Sequence, residues 1–171
     1  METSIPPSTR VRSWQATSRA WLDQIFEHAR RAYPDECCGI LTRLRASSGS
    51  APIQVYPCRN IQNQLHDRDP ERHPRRARTG YYIDPRDLLR VEREAARSAA
   101  SMAVVYHSHT DTGAYFSDLD RRRAAPYGEP LLPDVAYLVV SVIDHKVRDV
   151  MLYAWDADLA EYVDVDLGLL D

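Results

Sequence analysis

Two histidines one residue apart, followed eleven residues later by an aspartate, are the positions in this chain best suited to chemistry. They lie in "YHSHTDTGAYFSDLD" as His107, His109 and Asp120. In a β-strand, side chains at i and i+2 leave the same face, roughly 6.5 Å apart along the chain. A strand here points both imidazoles one way and Ser108 the other, so both rings reach one cation at about 2.0–2.1 Å. Residues 110–116 extend to roughly 23 Å, enough to bring the chain back, and Gly113 eases the reversal. Asp120 then supplies a third ligand. Three protein ligands plus water is the pattern of a catalytic rather than a structural zinc site.

The same residues admit a plainer reading. "SDLD" is also S-x-x-D, a capping-box pattern at a helix start. On that reading Ser117 and Asp120 only hold a helix end, and the histidines line a polar loop. Asp111 and Asp118 are rival carboxylates. Asp118 lies about 200° round a helix from Asp120, so the two cannot face one ion. Asp111 is so near His109 that joint coordination needs a sharp turn. Asp120 is the preferred third ligand.

The elements that would position these residues can be read along the chain. "SRAWLDQIFEHARRAY" repeats apolar residues at helix spacing, with Ser18 as N-cap and Pro34 beyond the end. "ECCGILTRL" reads as a buried strand, "ASSGSAP" as a loop, and "IQVYPC" as the second strand of a hairpin. Residues 59–80 are polar, charged and interrupted by two prolines, which predicts a long exposed insert loop. "YYI" reads as a short strand. "DPRDLLRVEREAARSAA" opens on Asp84 as N-cap with Pro85 at the first helical position. "MAVVYHSH" is a buried strand, "SDLDRRRAA" a short helix, "VAYLVVSVI" and "VRDVMLYAW" a hairpin around "DHK", and "EYVDVDL" a last strand. Interleaved helices and strands predict an α/β, mixed layered fold. Residues 1–16 read as a flexible polar tail, and 17–171 as one domain.

Composition narrows the class. The chain has 171 residues, 44% of them hydrophobic, enough for a real core. The net charge of −3 argues against a general nucleic-acid binder. No apolar run suits a membrane span or a signal peptide, so a cytoplasmic protein is expected. The three cysteines, Cys37, Cys38 and Cys58, form no C-x-x-C pair and read as buried core thiols. The H-x-E…P-C-x-x-C pattern of zinc deaminases is absent.

His107-x-His109, seven residues, Ser117, two residues, Asp120 resembles the motif of JAMM (MPN-plus) zinc metallopeptidases. "YPDECCGIL" supplies the glutamate that this family carries before an early strand, Glu36. The resemblance covers roughly residues 17–155. It implies a JAMM/MPN-like, cytidine-deaminase-like fold, with a mixed β-sheet flanked by helices. It implies Zn²⁺ on His107, His109 and Asp120, with Glu36 as general base and later as proton donor to the leaving amine. It implies Ser117 as hydrogen-bond donor to the carbonyl oxygen of the substrate. "YHSHT…AY.S..D" is similar to a subgroup that hydrolyses a sulfur-carrier protein bearing a C-terminal cysteine. Such a partner has the ubiquitin-like (ThiS/MoaD-like) fold and a Gly-Gly tail, and its hydrolysis completes cysteine biosynthesis. A broader isopeptidase and a non-catalytic scaffold on the same fold are the alternatives. Arg68, Arg72, Arg75, Arg76 and Arg78 would dock an acidic face of the carrier, whereas Arg121, Arg122 and Arg123 read as a solvated helix face.

Overall fold

The computed structural model describes residues 20–44 and 53–170. The predicted tail, the Ser18 cap and the "ASSGSAP" loop lie outside the described residues. In chain order the elements are α1 (Ala20–Ala32), β1 (Cys38–Leu44), β2 (Ile53–Cys58), α2 (Gln62–Arg68), α3 (Pro85–Arg97), β3 (Ala100–Thr110), α4 (Asp118–Ala124), β4 (Ala136–Ile143), β5 (Lys146–Asp156), β6 (Glu161–Val165) and a 3₁₀ turn, Leu167–Leu170.

The strands form one mixed sheet in the order β2-β1-β3-β4-β5-β6. Only β3 and β4 run parallel, and α4 lies in the crossover between them. β2 is an edge strand, the place where Pro57, with no N–H to donate, costs least. β4 and β5 are joined by Asp144 and His145, with φ of 50° and 57°. Two left-handed residues match the right-handed twist of the strands they join.

Alternation along β3 and β4 splits the core. Val104, Tyr106, Leu138, Val140 and Val142 pack with Leu22, Ile25, Phe26 and Ala29 of α1. Val105, Tyr137 and Val139 point the other way, toward Phe116 and Ala124 at α4. On that second face, Cys38, Ile40 and Cys58 meet Val91 of α3. Asp84 caps α3 by accepting from Arg86 N at 2.8 Å, and Pro85 opens it, as its sequence predicts.

Two expectations need correction. The 59–80 segment is no simple loop: it contains α2, and Gln62 and Ala77 are buried. Asn60 draws the segment inward, donating from Nδ2 to Glu36 O at 2.9 Å and to Gly80 O at 3.1 Å. A polar side chain that satisfies buried backbone groups does packing work that a composition count cannot register. "YYI" makes no strand, only a single bridge between Ile83 and Asn60. The cysteines are free and buried as expected, and burial pushes the Cys37 thiol up to about 12.

Candidate metal centre and catalytic cleft

β3 delivers His107 and His109 to the α4 side of the sheet, and α4 brings Asp120 to them. One ligand atom from each of the three lies within 4.8 Å of the others. The two Nε2 atoms are 3.2 Å apart. Asp120 Oδ1 is 3.5 Å from His107 Nε2, and Oδ2 is 3.6 Å from His109 Nε2. Ligands about 2.0–2.1 Å from a tetrahedral ion lie roughly 3.3–3.4 Å apart. The imidazole–imidazole separation falls close to that spacing, and so does the distance from each imidazole to its nearer carboxylate oxygen, Oδ1 for His107 and Oδ2 for His109.

The surroundings aim the ligands. His109 Nδ1 meets Gly113 O at 2.9 Å, an arrangement that places its proton on Nδ1 and frees the Nε2 lone pair. The Tyr81 ring stacks on His107 at 4.4 Å, and Tyr115 meets His109 edge-on at 4.9 Å. His107 is fully buried, and its Nδ1 has no hydrogen-bond partner. Nδ1 is orphaned in either tautomer, so the fit rests on the Nε2 atoms: two imidazole nitrogens and a carboxylate converge on one point, the N and O donor set of a zinc ion.

Asp120 is both ligand candidate and capping residue. Its Oδ2 accepts from Ser117 N at 2.9 Å and from Ser117 Oγ, and its own N–H donates to Ser117 Oγ at 3.2 Å. The capping box is thus present, and it steers the carboxylate rather than consuming it, since Oδ1 faces His107. Burial alone would push Asp120 up, but His107, His109 and Ser117 hold its carboxyl well below the usual range. The rivals are accounted for. Asp118 is exposed. Asp111 accepts from Tyr33 Oη at 3.0 Å and pairs with Arg78 at 2.9 Å.

Glu36 lies just ahead of β1, 7% exposed, its N–H donating to Ala77 O at 2.7 Å. Cys38 stands opposite His107 in the β1–β3 register. Ser108, on the reverse face, locks that register: its Oγ accepts from Cys37 N at 2.8 Å. One cleft is lined by Glu36, His109, Ser117 and Asp120. Burial, with the charge of Asp120 second, pushes Glu36 up to about 9, while Arg75 and Arg123 oppose the shift.

The arginines divide differently from expectation. Arg123 is no solvated residue: it is half-buried, lines the cleft and donates to Tyr81 O at 2.6 Å. Arg121 is also half-buried, donating to Tyr162 O at 2.8 Å. A signal for Arg123 existed in its i+3 spacing from Asp120 on one helix. Nothing in the spacing marked Tyr81 or Tyr115. Of the five insert arginines, Arg76 pairs with Asp67, Arg78 with Asp111, and Arg75 lines the cleft. Arg68 and Arg72 are exposed, lie outside the cleft and make no ion pair among the described residues, which leaves them as the candidates for docking.

Comparison with known proteins follows the same line. The chain is 34% identical over 130 residues to proteins named CysO-cysteine peptidase in Mycobacterium tuberculosis and Mycobacterium bovis, covering 74% of this chain and 75% of each relative. A protein from Desulfitobacterium hafniense shares the fold with a TM-score of 0.62 at 22% identity, covering 87% of this chain and 88% of that one. A protein from Salinibacter ruber does so with a TM-score of 0.57 at 27% identity, covering 87% of each. Residues 18–156 match the family described as prokaryotic homologs of the JAB domain. The chain belongs to that family and is a JAMM-type peptidase.

Proposed function

We propose that this chain is a zinc-dependent hydrolase of a ubiquitin-like sulfur-carrier protein. It cleaves the amide bond after the carrier's C-terminal Gly-Gly and releases cysteine, in the cytoplasm. The observation that carries the reading is the meeting of His107, His109 and Asp120 within 4.8 Å, in a cleft that also holds Glu36 and Ser117. The likeness to proteins named CysO-cysteine peptidase supports the choice of substrate. Among the described residues no helix is long and apolar enough to cross a membrane.

His107, His109 and Asp120 would hold the ion. Zinc bound there supplies Lewis acidity, lowering the pKa of a bound water to about 7 and polarising a carbonyl. Glu36 takes a proton from the attacking water and passes it to the amine as the carbon–nitrogen bond breaks. In the metal-free protein burial raises the proton affinity of Glu36, and Arg75 and Arg123 oppose that shift toward the charged form a base needs. The Ser117 hydroxyl turns from Asp120 Oδ2 to donate to the carbonyl oxygen, where negative charge gathers. The Gly-Gly tail of the carrier suits a narrow cleft, since it brings backbone and no side chains to the reacting bond.

The test compares wild type with Glu36→Ala for bound zinc and for hydrolysis of a carrier–cysteine conjugate. The variant is expected to keep its zinc and lose turnover. Full activity in it would remove Glu36 from the mechanism.

A further inference from the structure

Two arginines in the cleft make no ion pair among the described residues. Arg75 Nη1 donates to Thr79 O at 3.1 Å and Arg123 Nη1 donates to Tyr81 O at 2.6 Å. The third arginine of the cleft, Arg78, is occupied by Asp111 at 2.9 Å. A guanidinium has five N–H donors, so Arg75 and Arg123 each keep most of theirs for another acceptor. Both line the same cleft as Glu36 and act on it electrostatically. Arg123 also stands one helical turn from Asp120 on α4, so the helix that presents the ligand presents the cation too.

We infer that Arg75 and Arg123 form a subsite for an α-carboxylate on the leaving amine, so that the group released is a free amino acid rather than the side-chain amine of a lysine. The inference rests on the proton-carrying role proposed for Glu36. That role places the leaving nitrogen beside the Glu36 carboxyl. In an α-amino acid the carboxyl carbon lies two bonds from that nitrogen, about 2.5 Å away. The carboxylate then lies among the charges that surround Glu36, where Arg75 and Arg123 supply the positive charge and Asp120, facing the two histidines, the negative. A lysine ε-amine would bring only methylenes to the same place and give the half-buried Arg123 no acceptor in exchange. A planar guanidinium matches a carboxylate with two parallel hydrogen bonds, which an isolated ammonium cannot do. Arg75 and Arg123 are thereby specificity residues.

The rival role for these arginines is to stabilise the charged form of Glu36 alone. Two substrates separate the roles: a sulfur-carrier protein extended by one C-terminal cysteine, and the same protein ending in cysteine amide. The zinc-loaded enzyme is expected to favour the acid over the amide by roughly 10- to 100-fold in kcat/KM, the scale of a lost charge-assisted pair. Arg75→Gln and Arg123→Gln should each shrink that ratio, the double variant should bring it near one, and Arg123→Lys should keep part of it. Equal cleavage of acid and amide by the wild type overturns the subsite and leaves the peptidase reading standing. A ratio unchanged in the variants, with both rates falling together, assigns the arginines to Glu36 and also overturns it. Cleavage of neither conjugate by the wild type takes down the proposed function and the subsite together.

Discussion

Neighbouring residues of β3 serve opposite ends. Tyr106 and Ser108 face α1, where Tyr106 is buried across Gly39 and hydrogen-bonds His28 Nδ1 at 2.9 Å, and Ser108 Oγ secures Cys37. His107 and His109, offset by one residue, face α4 and gather with Asp120. The α1 face is closed by hydrophobic packing and its polar atoms have protein partners. The α4 face buries imidazoles and a carboxylate that leave His107 Nδ1 unpartnered. One strand thus gives its stability to one layer and its chemistry to the other, a division of labour set by the two-residue repeat.

Substitutions on the two faces should therefore fail in different ways. The largest effect is expected from His107→Ala, which removes a proposed ligand: zinc retained after dialysis should fall well below one equivalent, and hydrolysis of the carrier conjugate should fall with it. Retention of both would erase the contrast. Ser117→Ala comes next. It loses one donor to the developing oxyanion, about 10²–10³ in kcat, along with part of the α4 cap, about 1 kcal/mol. A melting curve beside the kinetics separates the two losses.

On the α1 face, Gly39→Ala should cost stability and little chemistry per folded molecule. A Cβ there would meet the Tyr106 ring at 2.3 Å, on a side chain with no exposed surface. Overpacking of this kind costs about 1–3 kcal/mol, read as a lower denaturant midpoint with unchanged metal content.

The remaining effects concern pH, and their signs differ between the faces. In metal-free protein, burial pushes Glu36 up to about 9 from an ordinary 4.5. As pH rises past 4.5 the unfolded chain gives up its proton while the folded chain keeps it, so stability falls across that window. Glu36→Gln should flatten that decline in denaturant titrations run with chelator. His28 shifts the other way: burial, then Arg31, lowers its value from 6.5. As pH drops below 6.5 the unfolded chain takes a proton that the folded one resists, so stability is lost toward acid. His28→Gln should flatten the acid limb and leave the alkaline one alone. A variant that altered the opposite limb would show that these groups are miscast.

The expectations held where local rules dominate. Asp84 and Pro85 opened α3, and Asp144–His145 turned the β4–β5 hairpin, because caps and tight turns are satisfied within a few residues. The insert misled because Asn60 and Gln62 bond to backbone groups of Glu36, Gly80 and Arg75. A polar residue that satisfies a distant carbonyl looks, in composition, like a polar residue in water.

What the sequence by itself determined was the candidate ligand set and its orientation: period two placed both histidines on one face, and S-x-x-D placed Asp120 in the first turn of a helix. Only tertiary structure decided that the strand and the helix meet, that Glu36 arrives from the segment ahead of β1, and that Arg75 and Arg123 line the same cleft. Side-chain direction is a local property of the backbone, whereas convergence depends on sheet register and crossover packing between residues far apart in the chain.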